Sequence, residues 1–65
     1  MRIEVNGERI ETAAATLAAL LEERGVEASE VATALDGAFV ARADRAATPL
    51  EPGAAVEILA PMQGG

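Results

Sequence analysis

The chain finishes in Gly64-Gly65 and contains no cysteine, histidine or lysine. With those types absent, no side chain is an obvious nucleophile, soft metal ligand or Schiff-base former. What remains as a reactive group is the terminal α-carboxylate itself. With no Cβ on either residue, a two-glycine tip fits a narrow slot and adopts dihedrals that other residues avoid. Such a tip can be threaded into another protein's active site. A chance ending of this kind would arise in roughly one chain in 200 at average glycine usage. The elements behind the tip must therefore carry part of the inference.

Composition narrows the classes. The formal charge is −6, with eleven acidic residues against five basic ones, all arginine. That balance argues against nucleic acid, which demands a positive surface, and disfavours anionic membranes. It fits simple solubility, or steering toward a basic partner. A chain of 65 residues makes one domain with a thin, mainly aliphatic core. A roomy ligand pocket is not expected. The absence of cysteine removes disulfides and thiolate metal sites and leaves the redox compartment open. Met1-Arg2-Ile3-Glu4 lacks the basic-then-apolar run of a secretion signal, and Ala13 to Leu21 is too short to span a bilayer. A cytoplasmic protein is the expectation.

The tip must be held by a body, and the local patterns describe one. Arg2 to Val5 alternates polar and apolar, Asn6-Gly7 suits a type I′ turn, and Glu8 to Glu11 alternates back. That register sets Ile3 opposite Ile10. Thr16 is an N-cap for a helix carrying Leu17, Leu20, Leu21 and Arg24 on one face. Gly25 suits the left-handed position after its end, with Val26 contacting Leu21. A start at Thr12 is the alternative, and the shorter helix is preferred. Val31 to Leu35, Asp36-Gly37 and Ala38 to Ala41 read as a second hairpin whose inward face is ambiguous, because alanines alternate on both sides. Arg42 to Thr48 is a polar connection with room for one helical turn. Pro52-Gly53 fits a type II turn, and Ala55 to Leu59 is the last strand, placed centrally by its dense aliphatic content. Pro61 ends its pairing. The class is α+β: a mixed sheet of about four to five strands with one main helix packed on one face.

The ordered combination of Val5-Asn6-Gly7-Glu8, the Val31 to Arg42 stretch with its Phe-Val, Thr48-Pro49-Leu50, Pro52-Gly53 through Ile58, and a free Gly-Gly end resembles the β-grasp, ubiquitin-like sulfur carriers. Within these it is most similar to the thiamine-pathway sulfur carrier family, ThiS. The departures are Ala54-Ala55, where an acidic residue is usual after the Pro-Gly turn, and Asp36, where Asn is common. The resemblance implies a β-grasp domain over residues 1–60 and a flexible tail over 61–65, with a length of at most about 17 Å when extended.

It also implies a role as protein co-substrate rather than enzyme. A ubiquitin-activating-like adenylyltransferase, using its own ATP and Mg²⁺, would adenylate the Gly65 carboxylate. A cysteine desulfurase or other persulfide donor would then supply sulfur, giving a thiocarboxylate for thiazole synthase. This chain would bind no cofactor or metal of its own. The carrier site would be Gly65, with Gly64 keeping the tip slim, and Pro61, Met62 and Gln63 joining them in partner binding. Pro61 reads equally as a strand terminator, Met62 as packing on the body, and Arg42 as a solvated charge or a docking residue. The same terminus would also serve a molybdopterin synthase small subunit or a ubiquitin-like protein modifier. A β-grasp interaction module with an incidental Gly-Gly is the reading from a different class.

Overall fold

The structure, a computed structural model, describes residues 1–60. Strands β1 (Arg2–Val5) and β2 (Glu8–Glu11) precede helix α1 (Leu17–Glu23); β3 (Ala32–Leu35), β4 (Ala38–Val40) and β5 (Ala55–Leu59) follow. Short 3₁₀ segments over Ala28–Glu30 and Arg42–Ala47 flank the second hairpin. The sheet order is β2-β1-β5-β3-β4, parallel only between β1 and β5. This is the mixed β-grasp sheet expected, with the last strand at its centre.

The two hairpins form for the same local reason. Asn6 (φ 52°) and Gly7 (φ 83°) both take positive φ, as do Asp36 (φ 51°) and Gly37 (φ 86°). Two successive left-handed residues make the turn whose twist matches the flanking strands. Ile3 pairs with Ile10 as the spacing predicts. In the second hairpin Thr33 pairs with Val40, and Ala34 with Phe39. Thr33 is buried and Phe39 exposed, which resolves the inward face that alternating alanines left open.

Thr16 caps α1 through its hydroxyl, which accepts from the Ala19 N–H at 3.1 Å. At the other end the Gly25 N–H donates to the Glu22 carbonyl and the Val26 N–H to the Leu21 carbonyl, closing the expected left-handed cap. The helix does not start at Thr12. The Thr12 hydroxyl donates to Glu23 at 2.6 Å and accepts from the Ala14 N–H, so residues 12–15 form a loop pinned to the end of the helix. Glu23, poorly placed for the helix dipole, instead accepts from the Thr12 hydroxyl and from the Ala13 N–H at 3.3 Å. Between helix and sheet lie Ile3, Val5, Leu17, Leu20, Leu50 and Val56, closed by Ala14 and Ala54. The Pro52-Gly53 turn is closed by the Ala54 N–H donating to the Glu51 carbonyl at 3.0 Å.

The connection from Arg42 to Thr48 holds more than one helical turn, and its centre is not polar surface. Arg45 is only 3% exposed. Its Nε donates to the Thr33 hydroxyl at 3.0 Å, while its terminal nitrogens donate to the Ala28 and Val31 carbonyls at 2.9 and 2.7 Å. The Thr33 hydroxyl passes the network on to the Val40 carbonyl at 2.8 Å. One planar guanidinium thus ties the first 3₁₀ segment, β3 and the second 3₁₀ segment together, a geometry that an ammonium cannot reproduce. Replacing Arg45 with Ala strands two inward-facing carbonyls and should cost about 3 kcal/mol. Arg45→Lys should recover less than half of that. Urea unfolding of both variants measures the loss, and midpoints matching the native chain would show the network to be dispensable.

Candidate carrier strand and docking face

The site expected from the sequence follows β5 along the chain, so the geometry of that strand fixes where the chain is last held before it. Pro61, Met62, Gln63, Gly64 and Gly65 lie outside the described residues. Their root does not. β5 runs to Leu59, with Ala60 after it, and its two edges are held differently.

On one edge β3 pairs with β5 from Leu35↔Val56 to Ala32↔Leu59. On the other, β1 reaches only to Val5↔Val56 before the Asn6-Gly7 turn carries the chain away. The last main-chain bond on that side is the Asn6 N–H to the Val56 carbonyl at 2.9 Å. The next rung comes from a side chain. Asn6 Oδ1 accepts from the Ile58 N–H at 2.9 Å, and Asn6 Nδ2 donates to the Ile58 carbonyl at 3.1 Å. A primary amide offers one acceptor and two donors on the same plane, so it stands in for a peptide unit.

The same turn position in the second hairpin grips the beginning of β5. The Asp36 N–H donates to the Ala55 carbonyl at 2.7 Å, and Asp36 Oδ1 accepts from the Ala55 N–H at 2.9 Å.

Side chains on β5 alternate, which fixes what surrounds the root. Val56 is buried, and Ile58 shares its face. Ala55, Glu57 and Leu59 point to the opposite side, which α1 does not cover. Ala34 stands opposite both Phe39 and Glu57, and Ala32 opposite Leu59. This outer face therefore carries Phe39 and Leu59, 73% and 62% exposed, across two small alanines. These are the large hydrophobics left exposed among the described residues. A groove beside the strand's end is lined by Ser29, Glu30, Val31, Ala32, Leu59 and Ala60.

Arg42 is exposed but borders a different surface, a cleft on the helix side shared with Ala18, Glu22 and Val26. The fold does not bring it to the root of the tail. Sequence reasoning missed the Asn6 side chain because the Asn-Gly turn already explained that residue. The available signal was that a strand turning at residue 6 leaves a longer neighbour unpaired. It placed Phe39 in the second hairpin but assigned it no face, although a two-residue Asp36-Gly37 turn pairs Ala34 with Phe39 and so sets Phe39 and Thr33 on different faces.

Among the described residues no helix is long and apolar enough to cross a membrane. The ThiS family model matches residues 2–65. A crystal structure of the thiamine biosynthesis protein ThiS from Geobacter metallireducens matches with a TM-score of 0.85 at 33% identity, over 100% of both chains. A solution NMR structure of a thiamine biosynthesis protein from the same organism matches with a TM-score of 0.81 at 33% identity, over 100% of this chain and 88% of that one. No curated protein matches the chain. Matched from residue 2 to residue 65 and superposed over its whole length on two solved relatives, the chain belongs to the ThiS family.

Proposed function

We propose that this chain is a sulfur carrier of thiamine biosynthesis, acting as a protein co-substrate whose Gly65 carboxylate is the group that reacts. The observation that carries this reading is the family match, which runs through Gly64-Gly65 to the final residue. The rest of the chain is consistent with it. The side chains supply no cysteine, histidine or lysine. The strand that leads into the tail is the central one of the sheet.

The chemistry follows from the carboxylate. Its resonance and charge repel nucleophiles, so an oxygen must first be made a leaving group. A carboxylate oxygen of Gly65 attacks the α-phosphorus of ATP in the partner's site, the bond to the β-phosphate oxygen breaks, and pyrophosphate leaves. Mg²⁺ and cationic groups that stabilise the phosphoryl charge belong to that partner. The terminal sulfur of a persulfide on a cysteine desulfurase or related donor then attacks the acyl carbon, and AMP departs. A thiol of the donor or of the activating enzyme cleaves the resulting S–S bond and is itself oxidised to a disulfide. The thiocarboxylate is released on Gly65. Ionised at neutral pH, it is a nucleophile able to deliver sulfur to thiazole synthase.

The outer face docks the adenylating enzyme. Leu59 lies two residues before Pro61 in the sequence, so a surface that holds Leu59 and Phe39 includes the strand end from which the chain runs on to Gly65. An apolar patch bordered on its β1 and β2 side by Glu57, Glu4 and Arg9 has the anatomy of a small transient interface. The tail from Pro61 to Gly65 then extends at most about 17 Å into the partner.

Two measurements test this function. Incubation with the organism's adenylating enzyme, ATP and a persulfide donor should exchange one oxygen of Gly65 for sulfur, read by intact mass spectrometry. A chain lacking Gly65, or amidated at it, should stay unmodified. Sulfur incorporation into the amidated chain would overturn the assignment. Phe39→Ser and Leu59→Ser should each raise the carrier concentration needed for half-maximal adenylation about fivefold to tenfold. Because both residues are exposed, thermal stability should barely move. An unchanged concentration dependence in the double variant would place the docking surface elsewhere.

A further inference from the structure

The side-chain rung between Asn6 and Ile58 has a consequence that the turn alone does not require. Ile58 is the last residue of β5 held on the β1 side, and its two bonds there both come from one exposed amide. Remove that amide and the nearest remaining bond on this edge is at Val56, two residues earlier. On the opposite edge the Ala32↔Leu59 pairing persists. The strand end would then be tethered on one side only.

We infer that Asn6 is a positioning residue of the carrier: its side-chain amide sets the point and direction at which the chain leaves the sheet for Gly65. The inference rests on the carrier reading above, because it gives the strand end something to aim. A reactive group presented from a fixed root reaches a partner's site with fewer residues to order behind it. With Ile58 released on the β1 edge, its backbone must be re-ordered there each time the tip enters, while Glu57 and Leu59 stay paired with β3. Phe39 still docks, so binding of the body survives while productive entry of the tip becomes rarer. Asn6 touches no reacting atom in this scheme.

The fold supplies its own control. Asp36 occupies the equivalent turn position, with the same positive φ, and holds Ala55 at the far end of the same strand. Asn6→Gly and Asp36→Gly both preserve the turn, since glycine accepts left-handed backbone at no steric cost. Asn6→Gly deletes two side-chain bonds to β5 and Asp36→Gly deletes one, and only the former lie at the end of the strand nearer Gly65.

The test uses the full-length chain, the organism's adenylating enzyme, ATP and labelled pyrophosphate, whose exchange into ATP reports acyl-adenylate formation. Amide hydrogen exchange at Ile58 and thermal melts are recorded alongside. Asn6→Gly should speed Ile58 exchange about tenfold. At saturating carrier it should also lower the pyrophosphate-exchange rate about fivefold, with the half-saturating concentration little changed. Asp36→Gly should also lower the melting temperature but leave the saturating rate at the native value. A native rate in Asn6→Gly despite faster Ile58 exchange would overturn the positioning role. Equal rate losses in the two variants would overturn it too, by reducing the effect to stability. Native-like Ile58 exchange in Asn6→Gly would remove the clamp itself. A native chain that supports no exchange with a competent enzyme would instead sink the carrier reading, and the inference with it.

Discussion

A central strand must satisfy its backbone on both edges, and β5 is longer than the neighbours can serve. β1 and β3 have four residues each and β5 has five. The tight turns that end β1 and β3 lie directly against β5, at Val56–Ile58 on one side and Ala55 on the other. Any buried or strand-interior N–H left unpaired there would cost a substantial part of a small domain's margin. The chain meets the requirement by making turn residues do the work of strand residues. Both hairpins consequently serve the central strand as well as themselves. The face that β5 presents inward, through Val56, and outward, through Leu59, is then fixed by the same pairing.

The core explains a second choice. Among the described residues nine hydrophobic ones are buried, and two of them are alanines on loops or turns. So little apolar volume cannot easily hold two 3₁₀ segments in place by packing alone. Arg45 does it with directed bonds, three donors converging on acceptors of separate segments. The guanidinium has neutral acceptors around it, so its charge is spread over carbonyl and hydroxyl dipoles, which offset part of its desolvation cost. An arginine here also avoids enlarging the core, which a five-strand sheet with one seven-residue helix has no room to do.

Much of this was legible in the residues because it is local. Asn6-Gly7, Asp36-Gly37, Pro52-Gly53, Thr16 and Gly25 each act through backbone dihedrals or bonds within four residues, and each does what its type predicts. The central placement of β5 was legible from its aliphatic density. What escaped was non-local. Nothing in Arg42 to Thr48 marks Arg45 as buried and Arg42 as exposed, because the difference is which of them faces Thr33, twelve residues from Arg45 along the chain. The Asn6 rung spans a separation of 52 residues. The exposed face was ambiguous because alanine fits either side of a sheet, so Ala32, Ala34 and Ala38 gave no direction until pairing placed Thr33 opposite Val40.

The two turn residues differ, and the hydrogen-bond count says why. At residue 36 the main-chain N–H already donates to the Ala55 carbonyl, leaving only the Ala55 N–H in need of a partner. A carboxylate oxygen suffices, and an asparagine oxygen would do the same. At residue 6 the main-chain N–H is spent one rung earlier, on the Val56 carbonyl. Ile58 therefore presents both an N–H and a carbonyl to the side chain, and the partner must accept and donate at once. An aspartate there would meet the N–H but set a charged oxygen against the carbonyl. Aspartate is thus harmless at the start of the carrier strand, whereas the end beside the tail demands an amide.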